Sequence, residues 1–177
     1  MAKIYCSKKL NELMIKISHT LDDGIGSSEI GDWNAHLFFY KRAKNLIFVN
    51  NKSFYCVILE NVKKSDLKNL DNLFLTRLID QLTLDNLIER NLAQIIIQKH
   101  QPIVFCPTNN NKRVIGTINH YIFNYEVYRN HPVWCDANLG ELNSLINDSI
   151  TRAGRNERRK YGRPSEDMKV LINSLIR

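Results

Sequence analysis

Three closely spaced apolar runs between residues 32 and 60 constrain the fold more than any other feature of this chain. The runs span residues 33–40, 46–49 and 54–59, and each is rich in aromatic and β-branched side chains, which favour strands. Two short, mostly polar turns join them. Turns of this kind connect neighbouring strands that run in opposite directions, so the segment predicts an antiparallel β-meander.

Helical periodicity replaces the strand pattern on both sides of the meander. Apolar residues at helical spacing predict helices at residues 7–17, 66–82, 85–101, 113–125, 139–150 and 165–175, with Asp66 and Asp85 as N-caps. Short apolar runs at residues 3–6 and 103–106 predict two more strands. The chain is therefore predicted to be α+β, with a small antiparallel β-meander packed against helices and a helical C-terminal part.

The predicted helices and strands suggest a division of the 177 residues into two parts. Residues 1–136 are expected to form an α+β core domain. Residues 137–177 are expected to form a helical C-terminal extension with a basic loop.

The cysteines and the hydropathy indicate the compartment. Four cysteines stand far apart, none in a C-x-x-C pair, which is typical of free thiols in a reducing cytoplasm. No apolar run is long enough to span a bilayer, and charges occupy the start, where a signal peptide needs apolar residues. We expect a cytoplasmic protein with no membrane partner.

Motifs for common cofactors, nucleotides and metals are missing from the sequence. There is no G-x-x-x-x-G-K-[ST], no G-x-G-x-x-G and no G-x-S-x-G. The nearest metal-ligand spacing is His131 with Cys135, and no second pair completes a tetrahedral site. We expect neither a cofactor nor a metal.

The strongest charge feature is the segment at residues 152–163. It holds six basic residues and one acid, which is +5 of the net charge of +7. Gly154 and Gly162 argue against a continuous helix, and a loop rich in arginine can contact phosphates bidentately. The alternatives are a solvated loop and a patch for an acidic protein. The predicted nucleic-acid-binding residues are Arg152, Arg155, Arg158, Arg159, Lys160 and Arg163.

A second constellation lies at the start of the meander. On a strand, Asp32, Asn34 and His36 face one way, while Trp33 and Ala35 face the other. An Asp, an Asn and a His on one face can move a proton or bind a ligand, or they can form a solvated sheet face.

A third constellation lies at the start of the first predicted helix. Cys6 stands beside Lys8 and Lys9 there. This position can lower the pKa of a thiol, although a buried thiol at the end of a strand explains it equally well.

Four short motifs follow one another along residues 3–125. They are CSKKL at 6–10, GDWNAHL at 31–37, FVNNKS at 48–53 and RVIGTINH at 113–120. In this order they resemble the motifs of a bacterial family known only as a domain of unknown function. The sequence departs from that pattern at Asn51 and His120, where the family tends to have carboxylates, which argues against acid–base or metal chemistry.

The resemblance implies no activity, but it implies that certain residues of the motifs converge. Together with His36, they form the candidate pocket: Lys8, Asp32, Trp33, His36, Asn50, Arg113 and Asn119.

These observations favour a non-enzymatic protein that binds nucleic acid or a nucleoprotein complex through the basic C-terminal loop. An inhibitor of a defence nucleoprotein, carried by a phage or another mobile element, fits this description. Two alternatives stay open. One is an antitoxin-like regulator whose basic loop contacts an acidic protein, and the other is an enzyme with a site centred on Asp32 and His36.

Overall fold

The computed structural model describes residues 1–16, 28–151 and 161–175, and it is α+β. The strands are β1 (Ala2–Cys6), β2 (Trp33–Tyr40), β3 (Ala43–Asn50), β4 (Cys56–Leu59) and β5 (Ile103–Pro107). The helices are α1 (Lys8–Ile15), α2 (Leu70–Leu84), α3 (Ala93–His100), α4 (Lys112–Asn130), α5 (Leu139–Asn147) and α6 (Pro164–Asn173). Short 3₁₀ turns precede α2 and α3.

The five strands form one mixed sheet in the order β4-β3-β2-β1-β5. The predicted antiparallel meander is confirmed for β2, β3 and β4, where Ile47 pairs with both His36 and Ile58. However, β1 runs parallel to both of its neighbours, with Cys6 opposite Ala35 and Pro107. The sheet is therefore mixed, because β1 and β5 join the predicted antiparallel meander through parallel pairing. Their partners are distant in sequence, so no short turn reveals the strand direction.

Helices cover both faces of the sheet. On one face, α1, α2, α3 and α6 pack over Trp33, Phe48 and their neighbours. On the other face, α4 and α5 pack over Ile47, Val49 and Cys56. The alternation predicted for β2 is observed, because Ala35 faces the first layer while Asn34 and His36 face the other side of the sheet.

The prediction that Asp85 begins a helix is wrong. Asp85 instead ends α2, and α3 begins only at Ala93. Asn86 has a φ of +55°, and its backbone nitrogen donates to Thr83 at 3.1 Å, while that of Leu87 donates to Leu82 at 2.9 Å. These bonds form the Schellman motif that terminates helices at a left-handed residue, for which asparagine is well suited.

Candidate functional site

The helices that follow β1 and β5 leave the sheet on opposite faces. Helix α1 follows β1 into the layer that contains Trp33, and α4 follows β5 into the layer that contains Ile47. Because β1 and β5 are adjacent and parallel, α1 and α4 diverge from each other at the carboxyl ends of these two strands. A crevice at such a point is where open α/β sheets bind ligands.

A cleft of about 380 Å³ occupies this position, and we call it the switch-point cleft. Its walls come from the end of β1, the start of α1, the first half of β2, the loop after β5 and the first turns of α4. The polar lining includes Ser7, Lys8, Lys9, Asn34 and His36. No residue that lines the cleft within the described part of the chain is an aspartate or a glutamate.

The first turns of α1 and α4 flank the cleft, and a side-chain N-cap hydrogen bond forms at α4 but not at α1. The side chain of Asn111 caps α4 by accepting a hydrogen bond of 3.3 Å from the backbone of Val114. Ser7 stands at the N-cap of α1 but makes no such bond. Its Oγ is buried without a partner among the described residues, so it is available to a ligand. Helix N-termini carry partial positive charge, which favours an anion here.

Basic side chains surround the cleft and extend around α4. Lys8, Lys9, Lys112, Arg113 and His120 are all exposed, and we call this set the cationic surface. Across residues 1–16, 28–151 and 161–175, no carboxylate forms an ion pair with Lys8, Lys9 or Lys112. The lysine charges of the surface are therefore open to an external anion.

A second, shallower pocket of about 370 Å³ lies on another side of α4. Lys112, Arg113 and His120 line it around Gly116, where an added Cβ would meet no atom within 4 Å. The guanidinium carbon of Arg113 lies 5.0 Å from the centre of the Phe54 ring, which belongs to the turn between β3 and β4. A ligand can thus approach the backbone of α4 closely at Gly116, between the basic side chains that line this pocket.

His36 contributes hydrogen bonding rather than charge to the cleft. Burial, and secondarily the charge of Lys9, lower the pKa of His36 below its ordinary value. The ring is therefore neutral at physiological pH and presents one donor and one acceptor.

The structure brings together only part of the candidate pocket. Lys8 and His36 line the switch-point cleft. Asp32 and Asn50 lie at the opposite end of the parallel strands, where Asp32 accepts a bond of 3.1 Å from the backbone of Lys3. Asn50 accepts bonds of 3.0 Å from the backbones of Lys52 and Ser53, so it shapes the turn after β3.

The other candidate residues also lie outside the cleft. Trp33 is fully buried, and its ring meets Phe74 edge-on with centroids 5.0 Å apart. Arg113 and Asn119 are exposed on α4, and only Arg113 belongs to the second pocket.

Cys6 does not join His36 in a nucleophilic site. The thiol is fully buried in the layer that contains Trp33, whereas His36 faces the other side of the sheet. Burial, followed by the nearby Cys106, raises the pKa of Cys6 to about 12. The thiol therefore stays protonated, and Lys8 and Lys9 do not activate it.

Most of the predicted basic loop lies outside the described residues, namely Arg152, Arg155, Arg158, Arg159 and Lys160. Arg163 is described, and its guanidinium lies 3.5 Å from Asp148 in an exposed ion pair. Thr151 and Gly162 exchange backbone hydrogen bonds of 2.9 and 3.0 Å, so these two residues lie side by side.

The sequence reasoning missed Lys112 and His120, although one signal could have found them. No aspartate or glutamate occurs from Arg90 to Tyr125, which covers β5 and the first part of α4. A long stretch without acids that still carries lysine and arginine marks a surface of one charge.

Neither a metal-binding cluster nor a membrane-spanning helix occurs among the described residues. No group of three His, Cys, Asp or Glu side chains in these ranges is arranged to hold a metal ion. None of the helices in these ranges combines the length and the apolar character needed to cross a bilayer.

Comparison with known proteins gives one match. The family model described as a domain of unknown function, DUF6933, matches residues 3–167, which is nearly the whole chain. This confirms the resemblance seen in the four motifs. No curated protein and no solved structure matches the chain.

Proposed function

Because the chain belongs to the DUF6933 family, which is defined by sequence and not by an activity, we propose a function from its own surface. It is a non-enzymatic protein that binds nucleic acid, alone or within a nucleoprotein complex, through the phosphate groups. The cationic surface and the switch-point cleft make the contacts.

The observation that carries this proposal is the meeting of two helix N-termini with lysine side chains that no carboxylate of the described residues neutralises. Helix α1 begins at Lys8 and α4 begins at Lys112, and both lysines are exposed. Backbone N–H groups, the unpartnered Ser7 hydroxyl and ammonium groups are the donors that bind phosphate oxygens in proteins.

The arrangement suits a chain of phosphates better than a single one. The switch-point cleft and the second pocket lie on different sides of the N-terminal half of α4, with Ile115 in the first and Gly116 in the second. A ligand that occupies both must pass around this helix end. A nucleic-acid backbone has the required repeating charge.

The basic segment at residues 152–163 supports the same proposal. Thr151, which directly precedes Arg152, lines the second pocket together with Arg113 and His120. The residue that precedes the arginine-rich segment therefore lies at the cationic surface. We propose that Arg152, Arg155, Arg158, Arg159, Lys160 and Arg163 add phosphate contacts to those made by α1 and α4.

The lining of the switch-point cleft favours binding over catalysis. General acid–base catalysis usually pairs two titratable groups with different pKa values. Here His36 is neutral, and the other titratable side chains are lysines and a tyrosine. These groups can bind a phosphate, but they offer no carboxylate to take part in proton transfer.

The test compares two triple variants that remove the same charge. The first is Lys8→Gln with Lys9→Gln and Lys112→Gln on the cationic surface. The control is Lys63→Gln with Lys64→Gln and Lys68→Gln, which are exposed lysines before and within the 3₁₀ turn that precedes α2. Binding to fluorescein-labelled DNA and RNA of about 20 nucleotides, single- and double-stranded, is followed by anisotropy from about 50 to 200 mM KCl.

We expect the first variant to bind at least about tenfold more weakly and to lose about two units of the slope of log K against log salt. The control should keep nearly the wild-type slope. Equal losses in both variants would show that only net charge matters. No binding of the wild-type protein to any of the four probes would refute the proposal.

A further inference from the structure

A groove of about 660 Å³ lies between the end of α2, helix α5 and the start of α6, and its chemistry differs from that of the cationic surface. Leu84, Leu87, Trp134 and Leu145 form its apolar walls. Leu84 is half exposed, so part of this apolar surface faces solvent. We call it the acidic groove because of the charges described next.

Four carboxylates and one ammonium group line the groove. The acids are Asp85, Glu141, Asp148 and Glu166, of which Asp148 already pairs with Arg163, and the base is Lys169. Asp85 and Asp148 are the C-cap residues of α2 and α5, where helix carbonyl groups add partial negative charge. This concentration of negative charge is opposite in sign to the net charge of +7 of the whole chain.

Asp85 is held in place by neutral donors. Its carboxylate accepts hydrogen bonds from the Tyr55 hydroxyl at 2.5 Å, from the Gln81 amide at 3.0 Å and from the Ser144 hydroxyl. Within residues 1–16, 28–151 and 161–175, no ion pair neutralises it. Arg77 donates instead to Gln81, at 3.3 Å. The charge of Asp85 is therefore fixed in position at the wall of the groove.

The walls beside Asp85 are also fixed in position. Leu84 lies directly over Gly140, where an added Cβ would stand 2.6 Å from the leucine Cδ2. Glycine at this position lets α2 and α5 approach closely. Glu141 is held by a capping box with Asn138, in which each residue bonds the backbone of the other. A site with fixed walls and a fixed charge loses little entropy when a ligand binds.

We propose that the acidic groove binds a basic peptide segment of a protein partner, with an arginine or lysine side chain directed at Asp85. The aliphatic stem of that side chain lies along Leu84 and Leu87, and an apolar neighbour in the peptide packs on Trp134. Glu166 attracts a further basic residue at the rim.

The chemistry of the groove selects this partner. Arginine anchors in apolar pockets dominate many protein interfaces, because the stem gains burial while the head group gains charge-assisted hydrogen bonds. A nucleic acid is repelled by Asp85, Glu141 and Glu166, which form no ion pair among the described residues. The acidic groove and the cationic surface therefore favour partners of opposite charge. The inference about the groove does not depend on the proposed function.

The test uses the two tryptophans as separate NMR reporters. Trp134 lines the groove, whereas Trp33 is fully buried and serves as an internal control. The full chain is titrated with N-acetylated, C-amidated Leu-X-Leu tripeptides in which X is arginine, lysine, glutamine or glutamate. We expect the indole N–H resonance of Trp134 to shift saturably with the arginine and lysine peptides, with a Kd of about 1 mM. The glutamine and glutamate peptides should cause no saturable shift.

Three variants complete the experiment. Asp85→Asn and Glu166→Gln should each weaken binding of the arginine peptide, by about tenfold or more for Asp85→Asn. Glu89→Gln removes an exposed acid outside the groove and should leave binding unchanged. Because Glu166 is exposed on the first turn of α6, its variant tests the proposal even if Asp85→Asn fails to fold.

Several results would overturn the proposal. One is the lack of a saturable Trp134 shift up to about 10 mM arginine peptide. Another is an equal response to the glutamine peptide. A third is that neither Asp85→Asn nor Glu166→Gln weakens binding. Sedimentation showing that a second copy of the chain already fills the groove would replace the peptide by a homodimer and would also overturn it.

Discussion

The side-chain oxygen of Asn147 accepts a hydrogen bond of 2.7 Å from the backbone nitrogen of Cys56, and its amide donates to the Cys56 carbonyl at 3.0 Å. Asn143 adds a second donor to the same carbonyl, at 2.8 Å. Two side chains of α5 thus take the place of a neighbouring strand along β4, which is an edge of the sheet. This contact fastens α5 to the sheet and blocks an edge that could pair with another chain.

Replacing Asn147 should therefore destabilise the protein. In Asn147→Ala the buried N–H of Cys56 loses its acceptor, so we expect the free energy of unfolding to fall by about 2–3 kcal/mol. Urea denaturation followed by circular dichroism measures the change. Asn119→Ala removes an exposed asparagine from α4 and should shift the value by less than about 0.5 kcal/mol. Similar values for the two variants would contradict this role of Asn147.

A buried histidine should make stability depend on pH. The Nδ1 of His100 donates to the Ile96 carbonyl at 2.8 Å, while its Nε2 is buried with no partner among the described residues. Burial lowers the pKa of His100 from 6.5 to about 4. Between about pH 4 and pH 6.5, His100 is thus protonated in the unfolded chain and neutral in the folded chain.

The free energy of unfolding should accordingly be highest above pH 6.5 and fall as the pH drops towards 4. The whole contribution of His100 is up to about 3 kcal/mol. His100→Phe keeps an aromatic ring beside Trp33 and Phe74 and should flatten this part of the profile. Denaturant titrations at several pH values measure it, with the exposed His120→Gln as the control. Parallel profiles for wild type and His100→Phe would refute the assignment.

Ser7 allows ligand binding to be separated from folding. Aspartate is as good an N-cap as serine and favours the N-terminus of a helix, so Ser7→Asp should leave stability within about 0.5 kcal/mol. Its charge would stand in the switch-point cleft and repel phosphate. We expect the affinity for nucleic acid to fall about tenfold.

Ser7→Asn is the matched control for this charge, because it has nearly the same shape and is neutral. Anisotropy and urea denaturation are measured on both variants. Equal affinities for the aspartate and asparagine variants would show that phosphate does not approach Ser7.

The ion pair between Arg129 and Glu60 should contribute more to stability than an exposed pair. The guanidinium lies 2.7 Å from the Glu60 carboxylate, and both side chains are largely buried. Arg129 also donates to the carbonyl of Ala137 at 2.8 Å, which holds the turn after α4. Glu60→Gln should lower the free energy of unfolding by about 1–3 kcal/mol.

The exposed pair between Lys99 and Glu29 provides the comparison. Glu29→Gln should cost no more than about 0.5 kcal/mol, because water and salt screen this pair. Thermal denaturation of both variants tests the difference. A larger loss in Glu29→Gln than in Glu60→Gln would contradict it.

Local sequence patterns predicted most of the individual elements. The strands of the meander follow from runs of aromatic and β-branched residues, and the C-terminal helix follows from apolar residues at helical spacing. Phe48 and Leu171 are examples of such residues, and both are buried in the core. The prediction for Asp85 was wrong because an N-cap and a C-cap use the same polar side chain. The left-handed Asn86 next to it decided which of the two forms.

The candidate pocket shows why residues of shared motifs need not share a site. Lys8 and His36 meet because β1 and β2 are parallel neighbours, whereas Asp32 lies four residues before His36, directly before β2 begins. A strand rises about 3.3 Å per residue, so these two side chains cannot reach one small ligand.

The sequence by itself determined the α+β class, the meander, the excess of positive charge and the family. Only the tertiary structure decided that Cys6, at the end of β1, lies opposite Pro107, at the end of β5. This pairing places the start of α1 next to the start of α4. It also decided that Asp85, Glu141, Asp148 and Glu166 surround one groove. The physical reason is that periodicity records which face of an element is buried. The order and direction of strands instead depend on the packing free energy of the whole chain, which leaves no local pattern.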